Sequence, residues 1–311
     1  MSLSISQIVS VSYNAVLNDK RKPANQWDES AFMRLLEKMG MIDKRSLGAQ
    51  IECTLDYRRN PGADFLATDL TPVSLAKTEV LTAAQFSIAE LSIPVVWSKG
   101  DDAKNPSETQ KVDFVDSLLS NAFATHDDMI EEALFTTTTD GFLGMATLVP
   151  DSGQGTVGVI DASTEVMWRN PADTYLADGS DLEAVMEEAF LNAAKGTGSG
   201  SQPKALVGGM EAVALYTSTQ ISNQRFVNTN KADGSFETIA FKGSPFVYSQ
   251  YGDDHIYGLG RNFKLVVSKQ YFRDKGETRE TDDANGFVFK IYSALQTVTN
   301  NKSRNFVVSQ A

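Results

Sequence analysis

Cysteine is almost absent from this chain: Cys53 is the single one among 311 residues. One thiol closes no intrachain disulfide and builds no thiolate metal cluster, so stability has to come from packing or from assembly. Basic residues are short as well, with 28 Lys and Arg against 40 Asp and Glu, a formal net charge of −12 and a pI near 4.7. Because neutralising phosphates takes clustered Lys and Arg, that balance excludes a general nucleic-acid binder. No run approaches the roughly 18 apolar residues that would span a bilayer. The opening residues Met1-Ser2-Leu3-Ser4-Ile5-Ser6-Gln7 put no basic region ahead of an apolar core. The chain therefore reads as a soluble intracellular product with no membrane partner. What it does have is bulk: 41% hydrophobic and 22% charged residues suffice for one large or two modest globular units and are unlike a disordered protein.

The charge is unevenly spread. Residues 1–60 hold nine Lys and Arg against seven Asp and Glu, and the remainder holds 19 against 33, so a head at +2 precedes a body at −14.

The stretch 106–134 organises the rest. Ser107 is placed to N-cap a helix, and Gln110, three residues on, to close a capping box. Val112, Val115, Leu119, Ala122, His126, Ile130 and Ala133 then recur at spacings of three or four and lay one mostly apolar stripe along a rod. No breaker follows until Gly141, so the rod is roughly 40 Å long, the length of a scaffold element. Thr136-Thr137-Thr138-Thr139-Asp140-Gly141-Phe142-Leu143-Gly144 leads out of it. Gly155-Thr156-Val157-Gly158-Val159-Ile160-Asp161-Ala162-Ser163-Thr164, read as a strand, and Trp168-Arg169-Asn170-Pro171 come next. This order of long helix, Thr-rich exit, Gly-Thr-Val-Gly strand and Trp-Arg-Asn step resembles tailed-phage major capsid proteins of the Hong Kong ninety-seven type, over nearly the whole chain. The resemblance implies an α+β fold. It implies an N-terminal arm at 1–47, an extended β-hairpin loop at 48–105, a peripheral domain with a long spine helix at 106–175, an axial domain at 176–263, and a return to the peripheral domain at 264–311.

Ahead of the rod, Trp27-Asp28-Glu29-Ser30-Ala31-Phe32-Met33-Arg34-Leu35-Leu36 reads as a short amphipathic helix in a segment with too little company for its own core. The resemblance makes residues 1–47 an arm across neighbouring subunits, whose deletion is expected to leave a folded body that assembles badly. Lys20-Arg21-Lys22 reads as a solvated turn before Pro23, with an acidic neighbour or packaged DNA as the alternative. From Gln50, the residues Ile51, Cys53, Leu55 and Tyr57 alternate with polar ones as in a half-buried strand. Phe86 and Ile88, then Leu91, Ile93 and Val95, mark a second extended run whose one-residue slip at Ala89-Glu90 is expected to be a bulge. Arg58-Arg59-Asn60-Pro61-Gly62-Ala63-Asp64 between them is turn chemistry. A lone two-stranded ribbon is marginal in water, so this hairpin is expected to lie on another chain.

Beyond the rod, Leu182, Val185, Met186, Ala189 and Phe190 space a second amphipathic helix within 178–197. Lys195-Gly196-Thr197-Gly198-Ser199-Gly200-Ser201 after it is a flexible linker, lacking the Gly-Lys-Ser/Thr step of a phosphate loop. Residues 205–209 read as a buried strand entering a helix at Met210, and 236–247, 256–267 and 286–292 read as further strands. Phe306, Val307 and Val308 read as an ordered end, which the resemblance pairs beside the spine helix.

Chemistry is scarce. His126 is followed by Asp127, Asp128, Glu131 and Glu132, whose i, i+4 spacing imitates a carboxylate metal site, yet one turn of acids on a long helix reads as a solvated face. His255 falls in a turn before a strand. No serine stands in a nucleophile elbow and no His–carboxylate pair has a recognisable spacing, so no hydrolytic triad is expected. Gly258-Leu259-Gly260 lacks the third glycine and acidic partner of a dinucleotide fingerprint. Catalytic, cofactor-binding and metal-binding residues are therefore all expected to be none, with no cofactor. Lys77, Lys99 and the asparagines near the tail show no local motif for the isopeptide cross-links that some members of the family form, so non-covalent assembly is expected.

What the resemblance implies is a non-enzymatic major capsid protein of a tailed double-stranded DNA bacteriophage. Copies would form pentamers and hexamers of an icosahedral shell in a virion assembled in the host cytoplasm. The partners implied are a separate scaffolding protein, since the chain starts straight into the arm, a portal, an optional decoration protein, and packaged DNA held without specific binding. An encapsulin-like shell around enzyme cargo shares the fold and is one alternative. A non-viral β-rich surface or binding protein is the other, and the missing signal peptide speaks against it.

Overall fold

The computed structural model describes residues 5–18, 30–56, 81–105, 107–136, 138–194, 202–221, 239–280 and 285–311. The chain opens with helices α1 (Ile5–Asn18) and α2 (Ala31–Lys38), then strands β1 (Ile42–Arg45), β2 (Gln50–Asp56), β3 (Leu81–Ser87) and β4 (Ala89–Ser98). A short α3 (Lys99–Lys104) precedes the long α4 (Glu108–Phe135). The hairpin β5 (Thr138–Thr139) and β6 (Phe142–Leu143), the turn α5 (Met145–Leu148), and the hairpin β7 (Thr156–Val157) and β8 (Ile160–Asp161) follow. Next come β9 (Ala172–Tyr175), α6 (Leu182–Ala194), β10 (Ala205–Gly209), α7 (Met210–Ile221), β11 (Ile239–Phe241), β12 (Ser244–Ser249) and β13 (Ile256–Leu259). The chain closes with β14 (Phe263–Ser268), β15 (Asp274–Lys275), β16 (Arg279–Glu280), β17 (Gly286–Thr299) and β18 (Phe306–Gln310).

At the start of α4 the Ser107 backbone N–H donates to Gln110 Oε1 at 3.4 Å, as the capping pattern predicts. Its 28 residues make a rod of about 42 Å. The predicted stripe is the buried one: Val115, Leu119, Ala122, His126 and Ile130 are sealed, Val112 and Ala133 flank it half-buried, and Phe123 and Leu134 widen it. Two cores share this face. Over the N-terminal half, Ile8 and Val9 of α1 close on Leu119, Phe123, Trp97 and Phe289. Over the C-terminal half, α2 enters the main core, with the Phe32 and Phe135 rings 5.3 Å apart.

The head of the chain therefore has company after all. Helix α1 escapes a reading by periodicity because Ser12 and Tyr13 stand in its inward face; Ser12 is fully buried and donates to Val112 O at 3.3 Å. In α2, Ser30 Oγ caps by accepting from Met33 N at 3.1 Å, and Phe32, Met33 and Leu36 are fully buried. Lys20-Arg21-Lys22 lies outside the described residues.

Two six-stranded sheets carry the rest. One runs β1-β14-β17-β15, with β4 and β16 also paired to β17; the other runs β11-β12-β10-β13-β18-β9. The run 256–267, which reads as one strand, is two: β13 lies in the second sheet and β14 in the first, and the chain changes sheet between Leu259 and Phe263. It crosses back between β17 and β18. At the tail, β18 pairs antiparallel with β13 and parallel with β9; Val307 shares the main core with Ile130, Leu134 and Phe135 of α4, and Phe306, Val307 and Val308 are fully buried as expected of an ordered end.

The slip at Ala89-Glu90 is a change of partner and no bulge. β2 and β3 pair as a ribbon from Gln50↔Ser87 to Asp56↔Leu81, whereas β4 pairs with β17 from Ala89↔Leu295 to Ser98↔Gly286. Buried faces therefore shift by one residue where the chain leaves the ribbon. The base of the ribbon lies on its own chain: Ile51, Leu55, Ala84 and Phe86 are buried in the main core, and Gln85 N donates to Gly158 O at 3.1 Å. Residues 57–80, with Arg58, Arg59 and Lys77, lie outside the described residues, as does the linker 195–201. The Gly-Thr-Val-Gly segment, read as one strand, is the β7–β8 hairpin.

Candidate functional site

The acidic turn of α4 is a solvated face only in part: Asp128 and Glu132 are exposed, whereas Asp127 and Glu131 turn inward. His126 is completely buried, its ring edge-on to Phe272 at 5.6 Å. Its Nε2 lies 2.8 Å from Ser293 Oγ and its Nδ1 2.9 Å from Asp127 Oδ1. Ser293 Oγ also accepts from Arg273 N at 2.8 Å, so its own hydroxyl hydrogen is left to point at Nε2, and Nδ1–H donates to Asp127. Burial pushes the His126 pKa down, and the hydrogen bond to Asp127 opposes this only in part, so the ring is neutral. The Arg273 guanidinium completes the knot, 2.5 Å from Asp127 Oδ1 and over the rings of Phe272 and Phe123 at 5.4 and 5.7 Å. Tyr13 of α1 donates its hydroxyl to Arg273 O, fastening the first helix to the same point. Glu131 is buried and accepts from Ser249 at 2.6 Å; Asp128 and Glu132 stay exposed, Asp128 accepting from Tyr251 at 2.6 Å.

Ser293, His126 and Asp127 thus stand in the line of a hydrolytic triad, which local sequence spacing did not reveal because β17 and α4 are far apart in the chain. The geometry is sealed: Ser293 and His126 have no exposed surface, and the serine oxygen is already an acceptor for Arg273 N. Chemically it is a polar staple joining α1, α4 and β17. A faint signal was present, since Ser293 and Gln296, with Lys290, break a largely apolar and β-branched strand.

Gln296 is a second staple. Its Nε2 donates to Ser87 O at 2.6 Å and Gly141 O at 2.8 Å, and its Oε1 accepts from Leu143 N at 2.9 Å. Ribbon, Thr-rich exit and long strand meet on this one fully buried amide. Lys302, also fully buried, donates to Gln154 O at 2.9 Å, and burial lowers its pKa to about 8.

His255 bridges two carboxylates, with Nε2 3.1 Å from Asp151 Oδ2 and Nδ1 2.7 Å from Asp254 Oδ1, and it stacks on Tyr257 at 5.9 Å. It sits in the turn before β13, as expected. Gly258-Leu259-Gly260 serves packing: a Cβ on Gly258 would lie 1.9 Å from the Phe306 ring. Lys99 is paired with Glu280 of the same chain. Cys53 is half-buried, and burial raises its thiol pKa. Among the described residues no three His, Cys, Asp or Glu converge where a metal could sit, and no helix is long and apolar enough to cross a membrane. A groove of about 230 Å³ beside α4 is floored by Leu91, Ile130 and Leu295 and rimmed by Glu90, Glu132 and Asp140, with Thr136 the one hydroxyl and no histidine among its walls.

No family model and no curated protein matches the sequence. Solved structures do match the fold. A cyanophage A-1(L) capsid chain is 16% identical, with a TM-score of 0.60 over 88% of this chain and 92% of that one. The chain has the Hong Kong ninety-seven capsid fold. The Mycobacterium phage Bobi chain shares that capsid fold at 9% identity and a TM-score of 0.58, over 88% of this chain and 89% of its own. So does an encapsulin from Synechococcus elongatus, at 9% identity and a TM-score of 0.58, over 99% of this chain and 96% of its own.

Proposed function

We propose that this chain is the major capsid protein of a tailed double-stranded DNA bacteriophage, a non-enzymatic subunit of an icosahedral shell built from pentamers and hexamers. The observation that carries the reading is the extent of the capsid fold, which takes in 88% or more of the chain in each comparison above. The interior supports it: the buried polar groups are spent on joining elements to one another. In this reading residues 1–47 are the arm, 48–105 the extended loop, 106–175 and 264–311 the peripheral domain and 176–263 the axial domain. A separate scaffolding protein, a portal and an optional decoration protein are its partners. Packaged DNA lies against the shell without specific recognition, because the body is acidic.

Electron micrographs of the purified protein test this. Angular closed shells, or sheets of five- and six-fold capsomers, are the expected result; protein that never assembles would sink it. The second reading, an encapsulin-like shell around enzyme cargo, is favoured by the encapsulin likeness, which covers 99% of the chain. Particle contents decide between them: nuclease-protected DNA for the phage shell, co-purifying protein for the encapsulin.

A further inference from the structure

The stretch from Gly155 to Met167 carries apolar surface that the fold itself does not use. In the β7–β8 hairpin both turn residues have positive φ, 60° at Gly158 and 72° at Val159. That backbone is ordinary for glycine and strained for a β-branched residue. Val159 is nonetheless 75% exposed, so no burial within its own chain offsets the strain. Val166 and Met167, close behind in sequence, are 64% and 58% exposed.

These side chains stand on a rigid base. The Trp168 indole donates to Val157 O at 3.2 Å, and the Arg169 guanidinium donates to Ala162 O at 2.8 Å and Ser163 O at 2.9 Å. The outside of the base is poor in charge: every exposed residue from Gly155 to Met167 is neutral, and of the two partly exposed carboxylates, Asp161 and Glu165, the first is engaged by the Ser163 N–H and hydroxyl. In a chain at −12 this gap decides what can cover it. Two copies brought together repel wherever their carboxylates meet, so contact between copies is least opposed at a patch whose outermost side chains are neutral. A basic partner would instead select carboxylate-rimmed surface such as the groove beside α4.

We propose that the hairpin tip at Val159, with Val166 and Met167 behind it, is a contact between copies of this chain, in which the strained valine is the anchor. The shell reading enters only in naming a second copy as the partner. Strain at an exposed anchor is the kind of local cost that persists where a binding role holds it in place.

The test compares the full chain with Val159→Gly and with the double variant Val166→Ser/Met167→Ser, by thermal melting, sedimentation velocity and the onset of light scattering with concentration. Val159→Gly should melt at or above the parent, because glycine relieves the turn, yet both variants should need about tenfold more protein to associate. Association at the parental concentration overturns the contact and leaves the shell reading standing. A parent that forms only small oligomers, weakened by the same substitutions, keeps the contact and overturns the shell. A parent that stays monomeric overturns both, and a Val159→Gly protein that melts below the parent overturns the strain argument.

Discussion

Lys302 is where burial and charge conflict most directly. Its folded pKa is about 8 against an ordinary value of 10.5, and burial is the cause. Below pH 8 both folded and unfolded chains hold the proton and the folded state bears the full cost of a buried ammonium. Between pH 8 and 10.5 the unfolded chain holds more protons, so this lysine's contribution to stability improves as pH rises. Lys302→Met removes the effect: its melting temperature, measured relative to the parent, should be level below about pH 8 and fall from there to pH 10, and a difference flat across the whole range would refute the assignment. Gln296 is the opposite case, a buried amide with its donors and acceptor satisfied. Gln296→Leu strands Ser87 O, Gly141 O and Leu143 N without partners, at a cost of roughly 3–5 kcal/mol by denaturant melting. A change below about 1 kcal/mol would show that water replaces the amide. Ser293 should stay unlabelled by a fluorophosphonate probe, since the Ser293–His126–Asp127 line has no open side; labelling of the folded protein would mean the staple opens.

At the scale of elements, α4 is held by what covers each half. Leu119 is fully buried between α1 and the β4–β17 pair, and Leu119→Asp loses its packing and buries a charge. The loss should be at least about 4 kcal/mol, a large share of the 5–15 kcal/mol of a typical domain. Soluble, normally melting Leu119→Asp protein would mean the packed face is misplaced. The head of the chain is tied more firmly than its sequence suggests. Deleting residues 1–18 uncovers Leu119 and Phe123 and should lower the melting temperature while the body still folds. Deleting residues 1–47 also takes Phe32, Met33 and Leu36 from the main core, so this truncation should not fold, contrary to what the sequence alone implies. Circular dichroism and thermal melts of the two truncations read this directly: a parental melt from the longer deletion would contradict the packing of α2.

For the whole molecule the charge split between a head at +2 and a body at −14 sets the expected response to salt. A protein with 6–10 phosphate contacts loses about 10³–10⁵ in DNA affinity between 50 and 200 mM salt. The isolated subunit should show nothing on that scale. Its assembly should weaken at very low ionic strength, where acidic bodies repel over longer distances than the roughly 8 Å of physiological salt. Light scattering against ionic strength, with a parallel DNA titration, measures both; tight and steeply salt-dependent DNA binding would overturn the argument. The long helix, its buried stripe, its cap, the ribbon strands and α6 were legible in sequence because each rests on periodicity or capping within a few residues. Where β4 leaves the ribbon, which sheet takes β18, what covers α1, and that Ser293 meets His126 were decided only by tertiary structure. These pairings join residues a hundred or more positions apart, or choose between partners of equal local propensity, and no local pattern encodes that choice.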